Sequence, residues 1–218
     1  MLVAIDGPAG SGKSSVARAV AERLQVANLN TGAAYRAVAL LALREGMDFE
    51  SGAALAALAG RVDLSGDGVS IDGVPVPEEE LRTPEVSAAA STASVYPEVR
   101  RVLLSVQREA AREARWKGGA VVEGRDIGTV VLPDAELKIF LSAAPEERAR
   151  RRAHQTGREA ELERIREAMQ TRDRRDSERE ASPLRPAPDA VVLDTTELSL
   201  EGVVAKVLEL ARGLEKGA

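Results

Sequence analysis

The sequence predicts an α/β fold, a parallel sheet covered by helices on both faces. Three observations predict it. Short apolar runs of strand length alternate with amphipathic stretches of helix length over most of the 218 residues, the pattern of repeated β-α units. A glycine-rich segment joins the first apolar run to the first amphipathic stretch. One hairpin-like segment interrupts the rhythm over 66–76.

Leu2-Val3-Ala4-Ile5-Asp6 reads as a short buried strand that stops at Gly7-Pro8. Residues 13–24 read as a helix with Val16, Ala17, Val20 and Leu24 on one face. A second strand follows over 26–30, then a helix over 33–44 closed by Gly46, and a short Ala/Leu-rich helix over 52–60. Residues 66–76 alternate small apolar and polar side chains around two turn signals, with Asp72-Gly73 as the turn of a β-hairpin. This interruption marks 62–95 as an inserted subdomain. Pro97 opens a long amphipathic helix to Trp116, and strands are expected at 121–123 and 137–141. Pro145 stands in the first turn of the next helix, where its missing N–H costs nothing. Residues 155–180 are almost wholly charged and have the Glu/Arg spacing of a solvated helix. The last strand is 190–194 and the last helix 199–214.

Composition narrows the chemistry. The chain has no cysteine, which excludes disulfides, thiolate metal sites and a cysteine nucleophile. His154 is the only histidine, so no multi-histidine metal site can form. No apolar run approaches the ~18–20 residues of a membrane span. The first residues carry Asp6 and no basic region, so no signal peptide, no membrane partner and a cytoplasmic location are expected. A net charge of −5 argues against a protein that mainly coats nucleic acid. The 30 basic residues comprise 25 Arg and only 5 Lys. Arginine's planar fork grips phosphate in two places. A GC-rich genome or a heat-adapted surface gives the same bias, so the positions of particular arginines decide.

Gly7-Pro8-Ala9-Gly10-Ser11-Gly12-Lys13-Ser14 matches G-x-x-x-x-G-K-[ST], the phosphate-binding Walker A loop, between a strand and a helix. Its glycines let successive N–H groups turn inward around an anion, and the helix N-terminus adds its positive end. Lys13 is placed to reach β/γ-phosphates and the Ser14 hydroxyl to help hold Mg²⁺. Such loops serve GTPases, motors, ATPases and small-molecule kinases alike. The chain lacks the Asn-Lys-x-Asp tetrapeptide of guanine-specific switches and is short for a motor.

A kinase for an anionic acceptor also needs positive charge beside the γ-phosphate, groups that select the acceptor, and a cover that excludes water. Arg36 follows the second strand in Asn30-Thr31-Gly32-Ala33-Ala34-Tyr35-Arg36, and Arg125 follows the third in Glu123-Gly124-Arg125-Asp126. Both stand at carboxyl ends of strands, where open α/β sheets bind ligands. The cluster from Arg172 to Arg179 reads either as a phosphate-closing cover or as a salt-bridge-laced helix.

Together these segments, with Ile5 to Ser15, Gly124-Arg125-Asp126-Ile127-Gly128-Thr129 and Ser182-Pro183-Leu184, resemble the bacterial cytidylate kinases of the nucleoside monophosphate kinase group. The resemblance covers nearly the whole chain. It implies a P-loop kinase fold with a five-stranded parallel core (1–61, 96–153, 181–218), a nucleotide-binding insert (62–95) and an Arg-rich lid (154–180). It implies a monomer that uses ATP and Mg²⁺ to phosphorylate CMP and dCMP in pyrimidine metabolism. Gly7, Pro8, Ala9, Gly10, Ser11, Gly12, Lys13, Ser14 and Ser15 would hold ATP. Arg36, Arg125 and Arg179 would hold the acceptor phosphate beside Thr31, with Lys13, Arg125 and Arg179 catalytic. Arg172 and Asp176 would meet the pentose, and Ser91, Arg100 and Asp126 the cytosine.

Further expectations follow. Asp6 and Glu123, at strand ends, are candidates to orient Mg²⁺-bound water. Arg148, Arg151 and Arg152 are candidates for ATP phosphates or adenine. His154 is expected to be a bystander, because the acceptor phosphate is already ionised. Asn30 stands where the resembled family has Asp, and the stretch from Ala153 to Ile165 is short. The rival readings are a kinase for UMP, AMP or shikimate, or a nucleotide-gated binding protein with slow hydrolysis.

Overall fold

The structure, a computed structural model, describes residues 1–65 and 68–217. In chain order its core begins β1 (Leu2–Asp6), α1 (Lys13–Leu24), β2 (Ala27–Asn30), α2 (Thr31–Arg44) and α3 (Gly52–Ala59). An antiparallel meander follows: β3 (Val62–Ser65), β4 (Gly68–Ile71) and β5 (Val74–Pro75). Then come α4 (Glu78–Leu81), α5 (Pro84–Ala93), α6 (Pro97–Trp116), β6 (Ala120–Gly124) and β7 (Leu137–Ser142). The chain ends with α7 (Pro145–Thr156), α8 (Leu162–Glu178), β8 (Val191–Asp194) and α9 (Leu200–Gly217).

Five strands form one parallel sheet in the order β2-β6-β1-β7-β8. β1 and β6 are buried at every position, which is why they read as unbroken apolar runs rather than alternating ones. Val16, Val20, Val203 and Val207, from α1 and α9, pack on one face with Val3 and Ile5. Ala110, Ala111 and Ala114 of α6 pack on the other with Leu2, Ala4 and Leu29. The register pairs Asp6 with Gly124 and Asn30 with Glu123. The carboxyl ends of β1, β2 and β6 therefore finish level, and their loops open side by side.

Three details differ from the sequence reading. α2 starts at Thr31 rather than at 33, because the Asn30 side chain accepts from Ala33 N at 3.2 Å as an N-cap. The hairpin turn at Asp72-Gly73 is present, with φ of 52° and 77° at the two residues, the left-handed pair of a two-residue turn. β4 also pairs with the unanticipated β3; the other turn signal, at Gly66-Asp67, lies outside the described residues. The charged stretch 155–180 is not one helix. α7 stops at Gly157 (φ 63°), a short 3₁₀ turn follows, and α8 buries Ile165, Met169 and Asp176 along one side.

The segment 62–95 has no apolar core of its own. Val62, Val69, Ile71 and Val86 share one cluster with Val38 of α2, Leu55 of α3 and Leu103 of α6. Among the described residues no helix is long and apolar enough to cross a membrane. Leu103 is fully buried where these elements meet. Leu103→Ala should lose about 2–5 kcal/mol of stability, and denaturant unfolding should remain one transition, since the meander and α6 share that core.

Candidate active site

The loop from Gly7 to Gly12 wraps inward between β1 and α1. Gly12 is the left-handed residue (φ 88°) before Lys13, and a side chain there would meet no atom within 4 Å, so it borders open space. A Cβ on Gly10 would stand 2.7 Å from Met169 and 2.8 Å from the Arg148 carbonyl. The loop thus packs on α7 and α8 at one point and opens at the next. Lys13 is buried and donates to Pro8 O at 2.7 Å. Ser14 Oγ donates to Glu123 Oε2 at 2.9 Å. The other Glu123 oxygen is buried with no hydrogen-bond partner among the described residues.

A cleft of about 1410 Å³ runs from this loop to α5 and α8. Ala9 through Ser15 line it, as do Thr31, Arg36, Ser91, Arg100, Arg125, Asp126, Arg172, Asp176 and Arg179. Of the sequence-derived site residues Asp6, Gly7, Pro8 and Arg148 do not line it. Residues from six separate segments meet there, which their spacing along the chain did not reveal.

Two buried carboxylates hold the arginines. Asp176 accepts from Arg125 Nε at 3.0 Å and lies 3.7 Å from Arg179 and 4.0 Å from Arg172. Asp126 accepts from Arg100 at 2.6 Å and lies 3.8 Å from Arg179. Burial pushes the Asp176 carboxyl up, but Arg125, Arg172 and Arg179 outweigh it and hold the group below its ordinary range. The cations suffer the converse. Burial and then the neighbouring charge of Arg82 push Arg36 down to about 10. Burial and then Arg125 push Arg172 down to about 10. Lys13 is lowered by burial and next by Arg125, and Arg179 by burial and next by Arg100. Arg36 Nε, Arg172 Nε and an Arg179 Nη are buried without hydrogen bonds among the described residues. The cleft therefore holds more positive charge, and more donors, than its own residues satisfy.

Several expectations change. Both Asp6 oxygens accept backbone N–H groups, from Ile127 and Gly128 at 2.8 Å each. Asp6 thereby pins the turn of π-helix at Ile127–Val131 through both of its oxygens. Arg148 is committed to Ala143 O and Ala9 O, each at 3.0 Å, and to Asp173. Arg151 is committed to Glu147 and Thr195. Of the three arginines only Arg152 lines the cleft without an acidic partner among the described residues; its one side-chain bond is to Gln155. Thr31 donates to Glu123 O at 2.8 Å, which ties the start of α2 to β6. Asn30, besides capping α2, lies 3.5 Å from Arg36 Nη2. His154 is exposed at the rim, 3.2 Å from Glu159.

Two residues were missed. Asp173 accepts from Ala9 N and from Arg148, lashing α8 to the phosphate loop; its only signal was its place in the charged cluster. Thr195 is buried between Ser142 O and Ser11 O. Nothing in the sequence marked it, because its position follows from how β8 pairs with β7.

Residues 3–213 match the family model for cytidylate kinase. The chain belongs to the cytidylate kinase family. It is 45% identical over 223 residues to a cytidylate kinase of Exiguobacterium sibiricum, covering 98% of each chain. It is 48% identical over 225 residues to a bifunctional pantoate ligase/cytidylate kinase of Synechococcus sp. (strain JA-3-3Ab). That match covers 98% of this chain and 41% of the Synechococcus protein, so this cytidylate kinase family member spans about two fifths of the bifunctional relative. A gluconokinase from Sinorhizobium meliloti 1021 has the same fold, with a TM-score of 0.50, 18% identity, and coverage of 98% of this chain and 93% of that one.

The Asp6 carboxyl is raised from 3.8 to about 6, chiefly by burial. A folded-state value above the unfolded one means that the folded chain binds the extra proton. The stabilisation is complete below pH 3.8 and is lost as pH rises through about 6. Denaturant titrations from pH 4 to 7 should show wild type losing about 3 kcal/mol relative to Asp6→Asn across that window.

Proposed function

We propose that this chain transfers the γ-phosphoryl group of ATP to the phosphate of CMP or dCMP, releasing ADP and the cytidine diphosphate. The observation that carries the reading is the surplus of half-buried guanidinium groups lining one cleft with the Lys13 loop. A pair of nucleotide phosphates supplies the missing negative charge. Family membership supports the same reading.

The roles follow from position. The loop Gly7 to Ser15 and Lys13 hold the ATP phosphates. Arg36, Arg125 and Arg179 hold the acceptor phosphate, and Arg172 and Asp176 meet the sugar. Ser91, Arg100 and Asp126 face the base. A carboxylate accepts from the cytosine amine, whereas the carbonyl of uracil would leave Asp126 facing another acceptor. A polar mismatch of this kind discriminates better than shape. The Ser14 hydroxyl and the unpartnered buried oxygen of Glu123 suit Mg²⁺, which when bound would offset charge on the β- and γ-phosphates. Segment 62–95 serves as the acceptor-side insert and 154–180 as the lid that keeps water out. One chain supplies the whole site, as a cytoplasmic monomer would need.

An acceptor phosphate oxygen attacks the γ-phosphorus in line while the bond to the ADP oxygen breaks. Lys13, Arg125 and Arg179 take up the charge that spreads over the transferring group. No general base is required, since a phosphate monoester has lost its second proton near pH 7. His154, solvent-exposed and paired with Glu159, stays outside the chemistry.

ADP release should be measured with CMP, dCMP, UMP, AMP and shikimate. The two cytidine monophosphates should be turned over best. Equal use of UMP would overturn the role of Asp126, and ATP turnover that no monophosphate accelerates would overturn the acceptor site. Arg125→Ala should reduce kcat/KM for CMP by about 2–4 kcal/mol, roughly 30- to 1000-fold; an unchanged value would remove Arg125 from the site.

A further inference from the structure

One group reaches the proposed base readers from the opposite wall. Arg175 Nη1, on α8, donates to Ser91 Oγ, on α5, at 3.1 Å. Ser91 is buried and lines the cleft, while Arg175 is exposed. A serine hydroxyl has one proton to donate and two lone pairs that accept. Here the guanidinium takes the accepting side. The hydroxyl proton, which makes no hydrogen bond among the described residues, is left available to the cleft that Ser91 lines. Cytosine and uracil differ at N3 as well as at position 4. The N3 of cytosine is a bare acceptor; that of uracil carries a hydrogen.

We propose that Arg175 is a positioning residue for base choice, which commits the Ser91 hydroxyl to donating and so matches it to cytosine N3 and against uracil N3–H. The inference rests on the reading that Ser91 faces the acceptor base. Without the guanidinium, Ser91 could rotate and accept from uracil. Arg175 thus adds a second discriminating contact to Asp126, at a different atom of the ring. It also makes selection depend on α8 lying against α5, so that a lid held open reads the base less strictly.

The test is the ratio of kcat/KM for CMP to that for UMP. Arg175 is exposed and its side chain makes no other hydrogen bond among the described residues, so its variants should fold. Arg175→Met should lower the ratio at least about tenfold, the scale of one hydrogen bond, mainly by raising kcat/KM for UMP. Arg175→Lys, which keeps a donor, should retain most of the selectivity. In a Ser91→Ala background the Met substitution should leave the ratio unchanged. An unaltered ratio in Arg175→Met, or the same fold-loss with and without Ser91, overturns the assignment while CMP preference itself stands. A wild-type enzyme that does not favour CMP over UMP overturns the base-site reading, and the role of Arg175 with it.

Discussion

Unbalanced positive charge in a single cleft is the constraint around which the rest of this molecule is arranged. Lys13, Arg36, Arg125, Arg172 and Arg179 converge, and Asp126 and Asp176 are the buried carboxylates that separate the arginines. Burial strengthens every repulsion among like charges and removes the water that would damp it. The depressed values of Lys13, Arg36, Arg172 and Arg179 register that tension. Buried N–H groups of Arg36, Arg172 and Arg179 have no hydrogen-bond partner among the described residues, the arrangement on which the proposed binding of anions rests. Charge-assisted bonds to phosphate are among the stronger polar contacts available.

The scaffold bears that tension through a few deep polar links. Asp6 clamps the Ile127 turn that follows Arg125 and Asp126, so those two residues are held at the end of β6. Thr31 joins the start of α2 to β6, which places Arg36 beside them. Arg148 and Asp173 tie α7 and α8 to the phosphate loop. By contrast, the ion pairs on exposed helix faces, such as Arg112–Glu109 and Lys117–Glu113, contribute little. Among the described residues Arg175 of α8 donates to Ser91 of α5 across the cleft. The meander and α5 lean on α2, α3 and α6.

Most of the architecture was legible along the chain, for local reasons. Strands buried on both faces leave unbroken apolar runs, and proline and glycine mark where elements begin and end. The helix Pro97–Trp116 agrees with its expected bounds because proline opens it and a strong apolar stripe continues to its end. The start of α2 was misplaced by two residues because Asn30 acts through its side chain, which composition does not show. β3 was missed because four residues carry too little pattern to stand apart from a loop.

The same division runs through the site. Residue types and spacing alone picked out the phosphate-loop motif, since the glycine loop, Lys13 and Ser14 lie within one contiguous segment whose geometry is local. Only the tertiary structure decided which of the 25 arginines matter. It gave Arg148 and Arg151 to structural bonds, set Asp6 against the Ile127 turn as a clamp, and set Arg175 against Ser91 across 84 positions of chain. The reason is physical: a guanidinium has the same chemistry wherever it stands, and its role depends on the carboxylate or carbonyl that folding brings within about 3 Å of it.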